Sequence, residues 1–459
     1  MHLAQIYTPG IAQCSYVIGS SGKCVVVDPV RNVEQYIDKA KEFGMDIVAV
    51  IETHLHADFV SGHMELAKAT GAEIYAGKVG NCTFPHHSLT DGEEFTVGRL
   101  RFKMLETPGH TPDCTVFVVT DLARGEEPVL VFVGDTLLVG DVGRPDLFPN
   151  REEELAEKLF NSLKRLKELP DHLEIYPAHG MGSLCGRTLS AKLSSTLGTE
   201  KRLNYAMQYK NLEDFKKDIL ADMPAAPDHF ARCSETNRTG PALLDELPPI
   251  KAIQSGELAK MTMGKGYSVL DTRSYHSFAA AHIPGSYSIS KYSNLATFAG
   301  WIIPPQDSVI LVMETEGDLS SIKKTLYNVG LDGIHGFLTG GIESWVNSGQ
   351  PVDSIATISV HQLKDVLVED AFTVLDNRDA REHRKGFIKG TTLVPMPETR
   401  QRYDEWDKDK PLYLFCGTGN RSMTAASLLQ QRGFRHLVNV LGGINAWVAA
   451  GYSLESDGV

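Results

Sequence analysis

The sequence lacks the features that define several large classes of protein. No apolar run among its 459 residues approaches the roughly 18 residues that a transmembrane helix needs, and the first residues do not combine a basic stretch with an apolar core. The seven cysteines are scattered, and none forms a Cys-x-x-Cys pair. Neither a disulfide framework nor a structural zinc knuckle is therefore predicted. We expect a soluble, cytoplasmic protein with reduced thiols.

Positive charge is also scarce. The chain has 45 Lys and Arg residues against 58 Asp and Glu residues, a net charge of −13. This balance argues against a nucleic-acid partner or an anionic membrane, because both require clustered positive charge. Apolar residues make up 42% and charged residues 22% of the chain, and these values exclude disordered and low-complexity classes.

Self-comparison reveals a repeat in the second half of the chain. Residues 267–286 resemble residues 372–391, and residues 338–349 resemble residues 440–451. Within each repeat, short apolar strands alternate with helical stretches, a pattern that predicts a parallel α/β sheet. We therefore expect an α/β protein of three domains, with these bounds: 1–245, 246–355 and 356–459.

The first 245 residues show a different pattern of predicted strands. Short β-rich runs each end in a group of His, Asp or Gly residues, as expected where a sheet presents polar ligands at its strand ends. These runs are 24–28, 47–54, 102–110, 129–135 and 173–180. A helical stretch predicted from Lys192 to Met223 would close this domain.

Four of these strand ends carry potential metal ligands. They are the segments THLHADF (53–59), TPGHT (107–111), GDT (134–136) and YPAHG (176–180). A lone His-x-His is weak evidence, because histidine pairs also occur as ordinary surface or hydrogen-bonded residues. Four such groups in one domain predict a metal site.

This series of motifs resembles the metallo-β-lactamase superfamily over about residues 1–240. The resemblance implies an αβ/βα sandwich with metal bound at one edge. In the binuclear hydrolases of that superfamily the first motif reads HxHxDH, and its last histidine helps to hold a second metal. Phe59 stands at that position here. Because phenylalanine cannot ligate, the second site is expected to be lost.

A closer resemblance is to the persulfide dioxygenases, which hold a single iron. It implies His54, His110 and Asp135 as the ligands of one Fe(II) per chain. A set of two histidines and one carboxylate leaves open positions and suits non-haem Fe(II) that must bind both O₂ and a substrate.

The same resemblance gives the neighbouring polar residues supporting roles. His56, Asp58 and His179 become catalytic residues that hydrogen-bond the ligands or the metal's water molecules. Whether His56 itself reaches the metal stays open. A fourth protein ligand would favour zinc, which is the alternative metal.

Three further residues are candidates for contact with substrate. Arg144 lies in a segment that resembles the GRxD turn of the persulfide dioxygenases, where the arginine contacts the thiol substrate; alternatively it forms a salt bridge to Asp141 or Asp146 that fixes the turn. Tyr176 could hydrogen-bond substrate or pack. Cys185 is either a sulfur-handling thiol or an inert buried one.

The second repeat contains a nucleophile motif. Cys416 follows an apolar strand and precedes a helical stretch, where backbone N–H groups and the helix dipole favour the thiolate. This C-x-x-G-x-R loop resembles the rhodanese active site, which implies Cys416 and Arg421 as catalytic residues and Gly417, Gly419 and Asn420 as substrate contacts. Phosphatases of similar fold have a longer Cys-to-Arg spacing than the four intervening residues found here.

The two repeats differ in their chemistry. Both resemble the rhodanese fold, but residues 310–318 of the first repeat have no cysteine and no arginine, and they carry three carboxylates. The first repeat is therefore expected to be catalytically silent, as a spacer or a dock. In the second repeat, residues 387–390 depart from the usual HIPG, and we expect Asp376 and Arg378 to brace the loop.

The whole chain resembles bacterial persulfide dioxygenase/sulfurtransferase fusions of sulfide detoxification. This implies oxidation of a low-molecular-weight persulfide, such as glutathione persulfide, by O₂ to sulfite, coupled to exchange of sulfane sulfur between persulfide and thiosulfate at Cys416. The alternative is a zinc-dependent glutathione thioester hydrolase of the glyoxalase II type with an appended sulfurtransferase. A third possibility is a non-enzymatic persulfide sensor or carrier. A homo-oligomer, dimer or tetramer, is expected.

Overall fold

A computed structural model describes residues 1–187, 189–221, 223, 225–262, 266–369 and 372–456. The chain forms two compact units. The first comprises Met1–Leu247 with Tyr327–Gly330, and the second comprises Pro248–Leu326 with Leu331–Val459. None of the described helices is long and apolar enough to cross a membrane.

Two six-stranded sheets build the first unit. The strands of the first sheet, in spatial order, are β1 (His2–Thr8), β2 (Gln13–Ser20), β3 (Lys23–Val27), β4 (Asp46–Ile51), β5 (Glu73–Gly77) and β6 (His87–Leu89). The strands of the second sheet are β7 (Glu94–Val97), β8 (Leu100–Glu106), β9 (Thr115–Asp121), β10 (Pro128–Gly134), β11 (Glu174–Pro177) and β12 (Ser195–Thr196). The helices are α1 (Glu34–Glu42), α2 (His63–Thr70), α3 (Glu152–Lys167), α4 (Leu197–Leu203), α5 (Leu212–Ile219) and α6 (His229–Thr239).

The core of the first unit lies between these sheets. Tyr16 and Val25 of the first sheet share one buried cluster with Phe102, Phe117 and Phe132 of the second. A second cluster joins the other face of β9 and β10 to α3 and α5, and α1 and α2 pack on the first sheet. The layers are therefore those of the expected αβ/βα sandwich.

Strand direction brings the polar strand ends together. β8 and β10 both run antiparallel to β9, and β11 runs parallel to β10. The carboxyl ends of these three strands therefore lie at one edge of the second sheet. The segments that follow them contain His110, Asp135 and His179.

The helix predicted from Lys192 to Met223 is wrong as a continuous element. The described residues of this stretch form β12, α4 and α5 instead. Thr196 starts α4 by accepting a hydrogen bond from the Thr199 N–H, and Asn211 starts α5 by accepting one from the Asp214 N–H. These polar caps begin new helices rather than continuing an old one.

The second half of the chain contains two five-stranded parallel sheets. The strands of the first, in spatial order, are β13 (Lys251–Ile253), β17 (Ile334–Leu338), β16 (Ser308–Val312), β14 (Tyr267–Asp271) and β15 (Tyr287–Ser288). Those of the second are β18 (Ala356–Ile358), β22 (Leu437–Val440), β21 (Leu412–Phe415), β19 (Thr373–Asp376) and β20 (Thr392–Leu393). The helices are α7 (Ser255–Thr262), α8 (Tyr275–Ala280), α9 (Leu295–Ile302), α10 (Leu319–Asn328), α11 (Gly341–Asn347), α12 (Val360–Glu369), α13 (Ala380–Arg384), α14 (Thr399–Arg402), α15 (Asn420–Gln431) and α16 (Gly443–Ala449). The strand order is the same in both sheets, as the sequence repeat predicts.

Each repeat carries the same buried ion pair after its second strand. Arg273 binds Asp271 and Arg378 binds Asp376, each with an Nη2–Oδ2 distance of 2.6 Å. The arginine of the second pair also donates to the Gly386 carbonyl at 2.9 Å. This pair therefore ties the segment after β19 to the sheet, which agrees with the bracing role expected for Asp376 and Arg378.

We predict that Arg378→Met lowers the free energy of unfolding of the second unit by about 3 kcal/mol, because it leaves the Asp376 carboxylate buried and unpaired. The double variant Asp376→Leu/Arg378→Met should lose less, since it removes both charges. Urea unfolding followed by tryptophan fluorescence measures both values. Lys410→Met, which breaks an exposed ion pair with Asp407, is the control. A loss for Arg378→Met no larger than that control would contradict the bracing role.

Candidate functional site

Three side chains meet at the edge of the second sheet. Nitrogen atoms of His54 and His110 and an oxygen atom of Asp135 lie within 4.8 Å of one another. The Asp135 Oδ2 atom is 3.4 Å from His110 Nε2 and 4.0 Å from His54 Nε2. All three residues are buried. In the described part of the chain, neither Nε2 atom has a hydrogen-bond partner.

The ring of His54 is oriented by a short chain of hydrogen bonds. The Thr53 hydroxyl donates to Asp28 Oδ2 at 2.9 Å, so its oxygen accepts from His54 Nδ1 at 3.0 Å. The Nδ1 atom then carries the proton, and the lone pair lies on Nε2. Asp28 holds a left-handed backbone conformation, with φ of +50°, and its Oδ1 accepts the Thr53 N–H at 2.7 Å.

His110 presents its lone pair in the same way. Its Nδ1 atom lies 2.8 Å from the Arg144 backbone carbonyl, which can only accept, so Nε2 is again unprotonated. Burial lowers the pKa of His110 and lowers that of His54 well below its usual value. Two neutral imidazole nitrogens and a carboxylate converge on one point, and this donor set fits a divalent metal ion.

His179 bridges two carboxylates beside this cluster. Its Nδ1 atom lies 2.8 Å from Asp135 Oδ1 and its Nε2 atom lies 2.8 Å from Asp58 Oδ2. Burial alone would lower the pKa of His179, but Asp135 and Asp58 outweigh it and raise that pKa well above the usual value. His179 is therefore placed to orient Asp135 rather than to join the three-residue cluster.

His56 belongs to a different group of buried side chains. Its Nε2 atom lies 3.2 Å from Asp28 Oδ1 and 3.9 Å from Glu52 Oε2. The ring of Phe59 packs beside it, with 4.4 Å between centroids. His56 therefore contacts the Asp28 carboxylate, which holds Thr53 and through it orients His54. A direct role of His56 in catalysis stays a prediction.

Arg144 and Tyr176, both predicted to contact substrate, have partners within the protein. The Arg144 guanidinium makes a two-point ion pair with Asp146, at 2.7 and 2.6 Å. The Tyr176 hydroxyl donates to Glu174 at 2.6 Å, and its ring packs on Tyr16. For Arg144 this contact is the salt bridge that was the alternative to substrate binding, and for Tyr176 it is the packing. Substrate contact stays a prediction for both residues.

Cys185 lies beside His179 and Asp58. Its sulfur is within 4.8 Å of ligand atoms of both residues, and burial raises the pKa of its thiol well above the usual value. The structure therefore brings Cys185 to the metal edge. A sulfur-handling role stays a prediction.

Asn237 of α6 supports the site and has no signal in the sequence. Its amide donates to the carbonyls of His56 and Phe59, each at 2.8 Å, and its carbonyl accepts the Ser61 N–H at 2.8 Å. A single buried side chain thus fixes the loop that follows β4. The sequence likewise does not assign Asp28 to the site, because only the folded chain brings its carboxylate to Thr53.

The second candidate site surrounds Cys416, at the turn between β21 and α15. Its side chain is buried, and its sulfur accepts the Gly419 N–H at 3.1 Å and lies 3.5 Å from the Ser422 hydroxyl. The first turn of α16 encloses the other side of Cys416, since the Ile444 N–H donates to the Cys416 carbonyl at 2.8 Å. A Cβ at Gly443 would lie 2.1 Å from that carbonyl oxygen, so the approach requires glycine.

Arg421 is held by a residue that the sequence did not reveal. Its guanidinium makes a two-point ion pair with Glu382 of α13, with one contact at 2.8 Å. Burial would raise the pKa of Glu382, but Arg421 lowers it to about 2. Gly417 lies under this guanidinium, and the Asn420 amide donates to Thr418 at 3.1 Å. The residues predicted to form the site around Cys416 therefore lie close together in this loop.

The corresponding loop of the first repeat uses its carboxylates for internal contacts. Met313 follows β16 as Cys416 follows β21. Glu314 accepts from the Ser277 hydroxyl at 2.9 Å, Glu316 accepts the Gly340 N–H at 3.1 Å, and Asp318 pairs with Lys291 at 2.6 Å. These contacts agree with the expectation of a silent domain.

Comparison with known proteins defines the class. A family model described as the metallo-beta-lactamase superfamily matches residues 8–179, and the rhodanese-like domain model matches residues 254–348 and 359–450. A crystal structure of a metallo-beta-lactamase from Staphylococcus aureus is similar over 74% of this chain and 98% of that chain, at 33% identity and a TM-score of 0.67. The chain belongs to the metallo-β-lactamase superfamily, and two rhodanese-like domains follow that domain in the sequence.

Relatives narrow the class further. The mitochondrial persulfide dioxygenase ETHE1 of Bos taurus is 30% identical over 192 residues, which cover 41% of this chain and 71% of the relative. A hydroxyacylglutathione hydrolase of Prochlorococcus marinus is 35% identical over 167 residues, which cover 35% of this chain and 62% of the relative. The architecture is a fusion of an ETHE1-like domain with rhodanese-like domains.

We predict that Thr53→Val weakens metal binding about tenfold to a hundredfold, because His54 loses the partner that fixes its tautomer and ring orientation. Competition with a chromophoric chelator under anaerobic conditions measures this affinity. Thr53→Ser keeps the hydroxyl and should bind metal as the unmodified protein does. Equal affinities for the valine and serine variants would exclude the proposed orienting chain.

Proposed function

We propose that this protein oxidises a low-molecular-weight thiol persulfide with O₂ at an iron site and transfers sulfane sulfur at Cys416. The observation that carries the proposal is the cluster of His54, His110 and Asp135, whose two unpartnered Nε2 atoms face one carboxylate. Phe59 stands beside it where binuclear relatives need a ligand. The resemblance to ETHE1 supports the same reaction class.

In the proposed reaction RSSH, O₂ and H₂O give RSH, sulfite and two protons. The sulfane sulfur loses four electrons and O₂ accepts them, so no other oxidant is needed. Fe(II), held by His54, His110 and Asp135, would supply open positions for the terminal sulfur of the persulfide and for O₂.

The protein's own groups prepare that site. His179 holds Asp135 in place through Nδ1 and places its second N–H toward Asp58. The buried Phe59 and His56 rings exclude water from one side. Because surroundings with less water strengthen electrostatic interactions, the Asp135 charge is screened less there than it would be in water.

A cleft beside the cluster could receive the carrier thiol. Its volume is about 410 Å³, and Arg151 and Arg238 are among its lining residues. It also contains neighbours in sequence of the candidate ligands: Leu55, Ala57 and Pro112. Each arginine already pairs with a glutamate, Arg151 with Glu154 and Arg238 with Glu235, and the carboxylates of Asp113 and Glu235 also line the cleft. A thiol that carries carboxylates, such as glutathione, would therefore have to exchange partners with these glutamates to bind the arginines.

At the second site the Cys416 thiolate attacks the outer sulfur of the thiol persulfide RSSH; the S–S bond of RSSH breaks, the carrier leaves as the thiolate RS⁻, and Cys416–S–SH forms. The persulfide Cys416–S–SH then loses its outer sulfur to sulfite: the sulfite sulfur forms the new S–S bond, the old S–S bond breaks, and thiosulfate and the Cys416 thiol result. Sulfite produced in the same chain is present at a raised local concentration if the sites can meet.

A zinc-dependent thioester hydrolase is the alternative. The similarity to hydroxyacylglutathione hydrolase favours it, as do Asp58 and His179, which are residue types of a binuclear site. Phe59 and the Cys416 loop argue against it. The same preparation can be assayed for both activities.

We predict that Cys416→Ser abolishes sulfur transfer from thiosulfate and leaves O₂ uptake unchanged, because the nucleophile is lost while the metal cluster is intact. His110→Ala should have the opposite effect. An oxygen electrode with glutathione persulfide, together with sulfite and thiosulfate assays on the same samples, measures both activities.

Each remaining outcome of this experiment has a definite meaning. Loss of both activities in Cys416→Ser would contradict the two-site proposal. An iron-loaded protein that consumes no O₂ with several persulfides but cleaves glutathione thioesters would replace the dioxygenase proposal with the hydrolase.

A further inference from the structure

The silent rhodanese-like domain places one side chain against the Cys416 loop, within the second compact unit. Tyr275, the first residue of α8, packs its ring on Gly419: a Cβ at Gly419 would lie 2.9 Å from the Tyr275 Cζ atom and 3.1 Å from its hydroxyl oxygen. The Gly442 N–H, before α16, donates to the same hydroxyl at 3.4 Å. One tyrosine thus contacts both segments that enclose Cys416.

The hydroxyl of Tyr275 keeps a proton to donate. The contact with Gly442 uses a lone pair of the hydroxyl oxygen, and the O–H bond is left for an acceptor in the site. Burial raises the pKa of Tyr275, so the hydroxyl is protonated at neutral pH. The tyrosine is half-buried, so part of its side chain is exposed.

An anion bound at the Cys416 loop needs such a donor, because little positive charge is left around the loop. The Arg421 guanidinium is engaged by the Glu382 carboxylate, and the two charges offset each other. The positive end of α15 remains, together with the Gly419 N–H that already points at the Cys416 sulfur. An oxyanion beyond that sulfur needs a further hydrogen-bond donor, and Tyr275, which packs on Gly419, is near enough to Cys416 that, in addition to burial, a thiolate there raises the pKa of the tyrosine.

We propose that Tyr275 determines specificity at the Cys416 site by donating a hydrogen bond to the oxyanion of sulfite or thiosulfate. The inference rests on the proposed sulfur transfer and adds a substrate contact from the silent domain. In the forward step the hydroxyl holds a sulfite oxygen while the sulfite sulfur attacks the outer sulfur of Cys416–S–SH. In the reverse step it holds the sulfonate group of thiosulfate while the Cys416 thiolate attacks the sulfane sulfur and sulfite leaves.

The degenerate loop of the silent domain positions this tyrosine. Glu314 accepts from the Ser277 hydroxyl at 2.9 Å and from the Ser274 N–H at 3.5 Å, and so holds the start of α8. In the second repeat Glu382 occupies the position of Ser277 and binds Arg421 instead. The carboxylate that removes anion binding from the first repeat therefore serves as a positioning residue for Tyr275.

We predict that Tyr275→Phe raises the KM for thiosulfate about tenfold, because it removes one hydrogen bond to a charged group, and leaves kcat within about twofold. With cyanide as the sulfur acceptor in both assays, transfer from glutathione persulfide, a donor without a sulfonate, should be unchanged, because no sulfite or thiosulfate takes part in that reaction. Stopped-flow or steady-state sulfurtransferase assays with both donors measure this split. Glu314→Ala should shift the KM in the same direction by a smaller factor.

The control is Tyr292→Phe, which removes the hydroxyl of an exposed tyrosine in the same domain and should leave both donors unaffected. An unchanged KM for thiosulfate in Tyr275→Phe would overturn the inference, as would an equal loss with both donors, since that pattern reports a merely structural role. Failure of the unmodified protein to transfer sulfur from either donor would instead overturn the proposed function, and this inference with it.

Discussion

Burial of the Asp135 carboxylate is the constraint on which the first site depends. A buried charge is costly unless it is paired and hydrogen-bonded, and this one is fully buried. His179 supplies two contacts to it, and His110 lies close by. Although burial would raise the pKa of Asp135, these histidines hold it far below the usual value. The carboxylate therefore stays ionised at the point where two imidazole lone pairs converge.

The tautomer of the two candidate histidine ligands has a separate origin. Each Nδ1 atom is satisfied by an oxygen acceptor, Thr53 Oγ1 for His54 and the Arg144 carbonyl for His110. Asp28 in turn fixes Thr53. Such supporting hydrogen bonds set the tautomer and direction of metal-binding imidazoles. The geometry of the site is thus determined by residues that do not touch the metal position.

The two rhodanese-like domains show how one backbone supports different chemistry. Both sheets have the same strand order and the same buried Asp–Arg pair. The first loop holds Met313 and Glu314 where the second holds Cys416 and Gly417. In the first repeat, the loop carboxylates accept hydrogen bonds at the starts of neighbouring helices. In the second repeat, the Gly419 N–H is directed at the Cys416 sulfur instead. The repeat without the cysteine contacts the Cys416 loop of the other through Tyr275.

Much of this could be predicted from the sequence, for definable reasons. The repeat and the strand-end motifs are local patterns, and the family resemblance of those motifs implied His54, His110 and Asp135 as one ligand set. His54 follows a strand of the first sheet, so the strand order of the second sheet alone does not place it beside the other two. Asp28, Asn237 and Glu382 could not be predicted, because each reaches the site across a long sequence separation and carries no motif. The stretch predicted as a helix from Lys192 to Met223 is not one helix, because the caps at Thr196 and Asn211 each begin a separate helix.

The most direct test of the central claim is the metal content of the protein produced with both iron and zinc supplied and purified anaerobically. A three-residue site without a ligand at Phe59 predicts one iron per chain, and His179→Ala should retain most of it because His179 orients the site without binding the metal. Two zinc ions per chain, with one lost in His179→Ala, would contradict the account and identify a binuclear hydrolase.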